Sequence, residues 1–105
     1  MHRIIRVYRV REAHCEAFVD TYATGGAWAQ LFQRSDDYAG TELLNDARDP
    51  LRFVTIDQWK TATAFQEFKE RYQAEYDALD AACAEFTDSE DLIGGFATVQ
   101  SKNQR

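Results

Sequence analysis

The second half of the sequence carries one long apolar stripe whose spacing strongly limits the local structure. Its members are separated by steps of 3 or 4 positions and are Phe65, Phe68, Tyr72, Tyr76, Leu79, Cys83 and Phe86. Such steps place side chains on one face of an α-helix, and charged residues occupy the positions between them. We therefore predict one continuous amphipathic helix here, with Thr61 capping its start.

Strand-like segments lie on both sides of this helix. Arg3 to Val10 and Leu51 to Trp59 are rich in β-branched and aromatic residues, and Thr41 to Leu44 is predicted to be a short strand between them. The turn-forming stretch Asn45 to Pro50 joins the last two, so a β-hairpin is expected. A final strand is predicted from Phe96 to Val99, after Gly94 and Gly95.

A first helical region precedes the hairpin. Apolar and small residues recur at helical spacing up to Tyr22, and Gly25-Gly26 then interrupts the pattern before a second piece with Trp28 and Phe32 on one face. The segment Thr87-Asp88-Ser89-Glu90 has the form of a capping box and predicts a short helical turn. The order strand, helix, strand, strand, helix, strand predicts an α+β, ferredoxin-like split β-α-β repeat with a four-stranded antiparallel sheet.

Composition and charge narrow the class of protein. No repeat or linker divides the 105 residues, so we predict one domain over residues 1–100 and a polar tail over 101–105. The net charge of −6 disfavours nucleic-acid binding, and no apolar run is long enough to cross a membrane. Cys15 and Cys83 are too few and too far apart for a disulfide framework, so we interpret them as apolar fillers in a cytoplasmic protein.

Common catalytic and metal-binding motifs are missing from the sequence. It contains no G-x-S-x-G, H-E-x-x-H or C-x-x-C pattern, and the acidic stretch Glu85 to Asp91 lacks the spacing of a calcium loop. His14 is a candidate general base by residue type, but its position early in a helix gives it no clear partner. The abundant aromatic residues are either core packing or the walls of a pocket between sheet and helices.

Several segments together resemble the antibiotic biosynthesis monooxygenase (ABM) domain family. They are Gly26 to Phe32, Tyr38 to Leu44, Phe53 to Trp59 with Phe65 and Phe68 following, and Glu90 with Ile93, Gly94 and Phe96. The resemblance implies a dimeric α+β barrel, in which two ferredoxin-like units pack their sheets face to face. It also implies oxidation of small aromatic, polyketide-type phenols by O₂ without metal, flavin or other cofactor, or degradation of haem, while other members of the family have no assigned reaction.

The haem-degrading branch of this family does not match the sequence. That branch uses an asparagine on the first strand, a tryptophan at the end of the third and a histidine in the following helix. Trp59 matches the tryptophan, but the first strand has no asparagine and no histidine follows His14. We therefore expect no haem-degrading activity.

The phenol-oxidising branch implies a set of site residues. Trp59 would orient a substrate carbonyl through its indole N–H, and Tyr72 would exchange a hydrogen bond with a substrate hydroxyl. The predicted catalytic residues are thus Trp59 and Tyr72, and the predicted substrate-binding residues are Tyr8, Trp28, Phe32, Phe68 and Tyr76. No general base stands out, so the alternative is a non-enzymatic dimeric domain that binds a small hydrophobic ligand or has an accessory role.

Overall fold

The chain follows the predicted order of strands and helices in a computed structural model that describes residues 1–101. The elements are β1 (His2–Val10), α1 (Cys15–Tyr22), α2 (Ala27–Phe32), β2 (Tyr38–Asp46), β3 (Asp49–Trp59), α3 (Ala64–Arg71), α4 (Gln73–Cys83) and β4 (Thr87–Ala97). Two short 3₁₀ turns, Glu12–His14 and Ala84–Phe86, lead into α1 and out of α4. The polar tail predicted from residue 101 lies, beyond Ser101, outside the described residues.

The four strands form one antiparallel sheet in the order β2-β3-β1-β4. The two strands at the centre are β1 and β3, which are distant in sequence and are each followed by helices. This is the predicted α+β, ferredoxin-like fold. The β2–β3 hairpin was also predicted correctly, although both of its strands extend further into the turn than their composition indicated.

The core lies between the helices and one face of the sheet. On β1 the buried side chains are Ile4, Tyr8 and Val10, as expected for a strand that covers the core with alternate residues. Phe18 of α1 is fully buried and its ring lies 4.2 Å from that of Tyr22 and 5.3 Å from that of Tyr8. Aromatic packing therefore supplies much of the contact between layers.

The long apolar stripe faces the core as predicted, but it does not form one helix. The chain breaks at Tyr72, whose φ of −115° and ψ of 34° lie outside the helical region, so that α3 and α4 are separate. All seven stripe residues nevertheless belong to the core or pack against it. The spacing predicts which face of the segment is buried, but it does not reveal a single non-helical residue within the pattern.

The predicted cap at Thr61 was wrong. The residue before α3 is Thr63, which makes no side-chain capping hydrogen bond, and Thr61 instead accepts a backbone hydrogen bond from Ala64 through its carbonyl. A turn therefore precedes the helix and delays its start.

The capping box at Thr87 to Glu90 does not begin a helix, because β4 starts there. Residues 87–97 pair with β1, with Tyr8 opposite Glu90, and a β-bulge lies near Ile93. Pairing along a neighbouring strand satisfies many backbone groups at once and outweighs the local capping signal. The last strand is consequently much longer than the predicted segment from Phe96 to Val99.

The interruption at Gly25-Gly26 was predicted correctly and has a steric cause at Gly26. A Cβ atom on Gly26 would lie 2.3 Å from the carbonyl oxygen of Thr21, so only glycine allows α2 to start so close to α1.

Cys15 and Cys83 are both free thiols; Cys83 is buried in the core and Cys15 packs against it.

The sheet face that points away from the helices is apolar at its centre. Ile5 lies opposite Ile56, and Val7 lies opposite Val54, on this face. Leu44 on β2 and Phe96 on β4 extend the apolar surface and are 44% and 47% exposed.

Within residues 1–101, no helix is both long and apolar enough to cross a membrane.

Candidate functional site

A cleft lies between the helix-facing side of the sheet and helix α4. Its lining residues are Arg6, Tyr8, Tyr22, Trp28, Phe32, Asp57, Tyr76, Asp80 and Glu90. The walls are aromatic, whereas Asp80 and Glu90 are exposed and mark the mouth. A concave aromatic surface with a few convergent polar groups is typical of small-molecule sites.

The cleft is narrow. Its volume is about 280 Å³ when the open mouth is included, but the space that the centre of a water molecule can reach is only about 20 Å³. That is room for a single water and not for an aromatic ring. In this conformation the walls largely close the site.

Asp57 forms the polar floor of the cleft. This residue belongs to β3 and is 6% exposed, and its Oδ1 accepts a 2.6 Å hydrogen bond from the Thr41 hydroxyl. The other oxygen, Oδ2, lies 3.7 Å from a guanidinium nitrogen of Arg6. Burial raises the pKa of the Asp57 carboxyl, while the Thr41 hydrogen bond and the Arg6 charge oppose that shift. A buried carboxylate with a raised pKa, facing a cleft, has the properties of a general base.

Three tyrosines line the cleft as neutral hydroxyl groups. Burial raises the pKa of Tyr8, Tyr22 and Tyr76, so each keeps its proton at neutral pH. The Tyr8 hydroxyl is 3.2 Å from that of Thr55, and either one is able to donate. These phenols are therefore suited to hydrogen bonding and not to removing a proton.

Trp28 forms the wall opposite the sheet. Its indole packs edge-on against Tyr76 at 5.1 Å and lies 5.6 Å from the ring of Phe32. The indole N–H is buried and makes no hydrogen bond of normal geometry within the described part of the chain, although the Tyr22 hydroxyl and the Cys83 thiol are near enough to interact with it. A buried donor whose partners have poor geometry is only partly satisfied, so a ligand oxygen that reached this N–H would form a better hydrogen bond.

The predicted site residues fall in three different places. Tyr8, Trp28, Phe32 and Tyr76 line the cleft together.

Trp59 is not among the lining residues. It is 0% exposed and packs against Phe32 and Phe68 at ring distances of 5.4 Å and 5.5 Å.

Tyr72 lies outside the cleft, at a separate surface groove that Phe68 also lines. The guanidinium carbons of Arg34 and Arg71 lie 5.6 Å and 5.5 Å from its ring centre. Tyr72 is thus held by cation–π contacts at the break between α3 and α4.

Asp57, Arg6 and Glu90 line the cleft but are not among the site residues predicted from the sequence. A usable signal was present in the strands, because alternate residues share a face. Asp57 has the same parity as the buried residues Phe53, Thr55 and Trp59 of β3. A charge at an inward-facing position is unusual and commonly marks a functional group.

His14 does not line the cleft, and of the acidic stretch Glu85 to Asp91 only Glu90 does. The His14 ring lies 5.7 Å from that of Phe86, and most of the acidic stretch belongs to β4. Among residues 1–101, no group of at least 3 histidine, cysteine, aspartate or glutamate side chains is arranged to hold a metal ion.

Comparison with solved structures gives whole-chain matches. A protein named as an antibiotic biosynthesis monooxygenase from Nitrosomonas europaea is 20% identical, with 95% of this chain and 100% of that chain covered and a TM-score of 0.70. SnoaB, a cofactor-independent oxygenase from Streptomyces nogalater, is 19% identical, with 98% and 97% covered and a TM-score of 0.71.

A third similar structure bears the same monooxygenase name and comes from Deinococcus radiodurans. It is 14% identical, with 98% and 97% covered and a TM-score of 0.73. No protein-family model matches the sequence, and no curated protein matches it either. The chain therefore has the fold of structures that carry the monooxygenase name, and at these identities the likeness concerns the fold alone.

Proposed function

We propose that the protein is a cofactor-independent monooxygenase that oxidises a small, electron-rich aromatic substrate with O₂ in the cleft. The observation that carries this proposal is the buried carboxylate of Asp57 at the cleft floor, facing aromatic walls. The protein shares its fold, over nearly the whole chain, with a cofactor-independent oxygenase, and this likeness supports the same reaction class.

In the proposed reaction, a phenol is converted to a quinone. Asp57 takes the phenolic proton, and the electron-rich anion transfers electrons to O₂ and forms a peroxide at a ring carbon. Loss of the proton from that carbon and cleavage of the O–O bond then give a new carbonyl and water. The balance is one phenol plus one O₂ to one quinone plus one water, so no other reductant is required.

The remaining cleft residues would bind and orient the substrate. Arg6 is the cation nearest to Asp57 and would offset the negative charge that develops on the phenolate. The hydroxyl groups of Tyr8 and Tyr76 and the indole N–H of Trp28 would donate hydrogen bonds to substrate oxygens. Phe32 would provide an apolar wall.

Trp59 and Tyr72 have supporting roles in this proposal. Trp59 packs behind Phe32 and would hold that wall in place, and Tyr72 would fix the junction of α3 and α4.

Substrate entry requires the walls to separate, because the enclosed space holds only about one water. Trp28 and Tyr76 belong to α2 and α4, and an outward movement of either helix would widen the cleft.

The narrow cleft specifically favours a second candidate function. If Trp28 and Tyr76 remain in place, the aromatic residues are core and the protein is a non-enzymatic dimeric domain. Its role would then be accessory, with at most weak binding of a small hydrophobic ligand at the mouth.

We also propose that the protein acts as a homodimer. The outer sheet face carries an apolar centre formed by Ile5, Val7, Val54 and Ile56. Leaving such a surface in water is unfavourable, and a second copy would cover it symmetrically.

An oxygenation assay separates the two functions. Electron-rich quinols and anthrones are incubated with ¹⁸O₂, and label in the product is measured by mass spectrometry for the wild type and Asp57→Asn. Asp77→Asn is the matched control, because Asp77 is an exposed carboxylate on α4 next to Tyr76. Turnover by the wild type and the control, with a loss of about 10²-fold or more in Asp57→Asn, supports the proposal. Equal rates in all three proteins, or no label in any product, would contradict it.

A further inference from the structure

A β-bulge in β2 changes which side of the sheet Tyr38 faces. Thr41 pairs with Asp57, Gly40 with Gln58 and Tyr38 with Trp59, so one residue of β2 has no partner on β3. Side chains alternate along a regular strand, and Tyr38 and Thr41 would otherwise lie on opposite faces. The bulge brings both onto the face that carries the cleft.

Gly40 makes this bulge possible. Its φ of +128° is a conformation that other residues rarely adopt. A Cβ atom at this position would meet nothing within 4 Å, so the constraint is the backbone conformation and not the space available.

The bulge creates a hydrogen-bond chain that ends on the cleft carboxylate. The Tyr38 hydroxyl lies 2.5 Å from Thr41 Oγ1, which lies 2.6 Å from Asp57 Oδ1. A hydroxyl has one proton to donate, and Thr41 gives its proton to Asp57. Tyr38 must therefore be the donor to Thr41, and the chain has a single direction while Asp57 is ionised.

We propose that Tyr38 and Thr41 are positioning residues: Thr41 occupies Oδ1 of Asp57, Tyr38 orients the Thr41 hydroxyl, and Oδ2 is left as the atom that takes the substrate proton. This inference rests on the proposed function of the cleft. Thr41 and Asp57 are each 6% exposed, and the Thr41 backbone is itself fixed by a 3.0 Å hydrogen bond from the Thr24 hydroxyl to its carbonyl.

The charges around Asp57 are consistent with this division of its two oxygens. Arg6 on β1 lies on the Oδ2 side, at 3.7 Å. The other ionisable groups of the cleft are Tyr8 on β1, Tyr22 on α1, Tyr76 and Asp80 on α4, and Glu90 on β4. Arg6 is therefore the one basic side chain among the cleft-lining residues, and Oδ1 depends on Thr41 for its stabilisation.

Titration of the Asp57 carboxyl tests the proposal without any substrate. The carboxyl ¹³C shift is followed against pH in the wild type, Thr41→Val, Thr41→Ser and Tyr38→Phe. The Thr41 hydrogen bond stabilises the ionised carboxylate, so its loss in Thr41→Val should raise the pKa of Asp57. We expect the acid dissociation constant to fall about tenfold. Thr41→Ser keeps the hydroxyl and should restore the wild-type titration, and Tyr38→Phe should give a smaller change in the same direction.

Thr55→Val provides the matched control for the titration. Thr55 is also buried on β3 and loses a hydrogen bond to Tyr8, but it makes no hydrogen bond to Asp57. An equal effect of Thr41→Val and Thr55→Val, or no restoration by Thr41→Ser, would overturn the proposal.

Amide spectra verify folding, and if Thr41→Val does not fold, Tyr38→Phe and Gly40→Ala decide the question. Gly40→Ala should shift the titration in the direction of Tyr38→Phe, because it disfavours the bulge.

The same variants separate this inference from the proposed function. If Asp57 is the base, the acidic limb of the pH–rate profile should move to higher pH in Thr41→Val. If the Asp57 titration changes as expected but no protein shows turnover, the proposed oxygenase is rejected and the structural role of the Tyr38–Thr41–Asp57 hydrogen-bond chain is retained. Turnover that depends on Asp57, with an unchanged titration in Thr41→Val, would reject the positioning role.

Discussion

Thr41 and Asp57 are directly opposite each other on neighbouring strands, and the threonine hydroxyl donates a 2.6 Å hydrogen bond to the carboxylate. This contact holds an ionisable group inside a domain where burial disfavours its charge. Proteins commonly retain such unfavourable groups where function requires them. The stability cost of Asp57 can therefore be measured separately from its proposed role in catalysis.

Replacing Asp57 by asparagine should stabilise the protein at neutral pH. The pKa of this carboxyl is raised in the folded state, so the folded protein binds its proton more tightly than the unfolded chain does. The wild type therefore loses stability as pH rises from the unfolded pKa of 3.8 through the folded pKa, and Asp57→Asn does not. We expect the variant to gain roughly 1 kcal/mol at pH 7, or about 4–8 °C in Tm, and the gain to vanish below about pH 4.

Thermal unfolding at a series of pH values checks this prediction, with Asp77→Asn as the exposed control. A variant that is less stable than the wild type at pH 7 would indicate that the ion pair with Arg6 outweighs the burial of Asp57.

The two tryptophans should respond differently to the same substitution. Trp59 is 0% exposed among aromatic rings, so Trp59→Phe leaves unfilled core volume and should cost about 1–3 kcal/mol of unfolding free energy. Trp28 lines the cleft, and Trp28→Phe removes its N–H donor and should weaken binding of a quinol analogue more than Trp59→Phe does. Urea unfolding and calorimetric titration of the two variants provide the comparison. A selective loss of binding in Trp59→Phe would instead support the role predicted for Trp59 from the sequence.

The adjacent glycines between α1 and α2 allow a matched test of close packing. Gly26→Ala would place a Cβ atom 2.3 Å from the Thr21 carbonyl oxygen, whereas a Cβ at Gly25 meets nothing within 4 Å. We expect Gly26→Ala to cost about 2 kcal/mol or more and Gly25→Ala to cost less than about 1 kcal/mol. Chemical unfolding of both variants measures the difference, and equal losses would show that the helices can separate to accept the methyl group.

Local periodicity was enough to predict most of the fold. The strand pattern of β1, the hairpin and the buried face of α3 and α4 all depend on residues close together in sequence. By contrast, β4 contains a capping box and several acidic residues that favour other structures. It becomes a strand because β1 offers a row of backbone partners along its whole length. That pairing is a tertiary effect that the segment itself does not encode.

The candidate site was only half predictable for a related reason. Aromatic residues at helical spacing identified Trp28, Phe32 and Tyr76, which do line the cleft. Asp57 required knowledge of which strand residues point inward. Tyr38 required the bulge at Gly40, since the register shift reverses its direction. A one-residue change of register moves a side chain to the other face, and the sequence alone does not specify it.

The apolar outer sheet face should hold two copies of the protein together. Val54 lies at the centre of this face, opposite Val7 on β1 and Leu44 on β2. Val54→Glu would bury a charge in the proposed interface, at a cost of several kcal/mol for each copy unless the charge is paired. We expect sedimentation to give about twice the 12.1 kDa chain mass for the wild type and the chain mass for Val54→Glu.

The control for this prediction is Ala78→Glu, which adds the same charge at an exposed position on α4, on the opposite side of the sheet. It should remain dimeric, because its side chain is remote from the proposed interface. A wild-type protein that sediments as a monomer at micromolar concentration would contradict the dimer. The apolar face would then need another cover, because hydrophobic surface of this kind favours association over exposure to water.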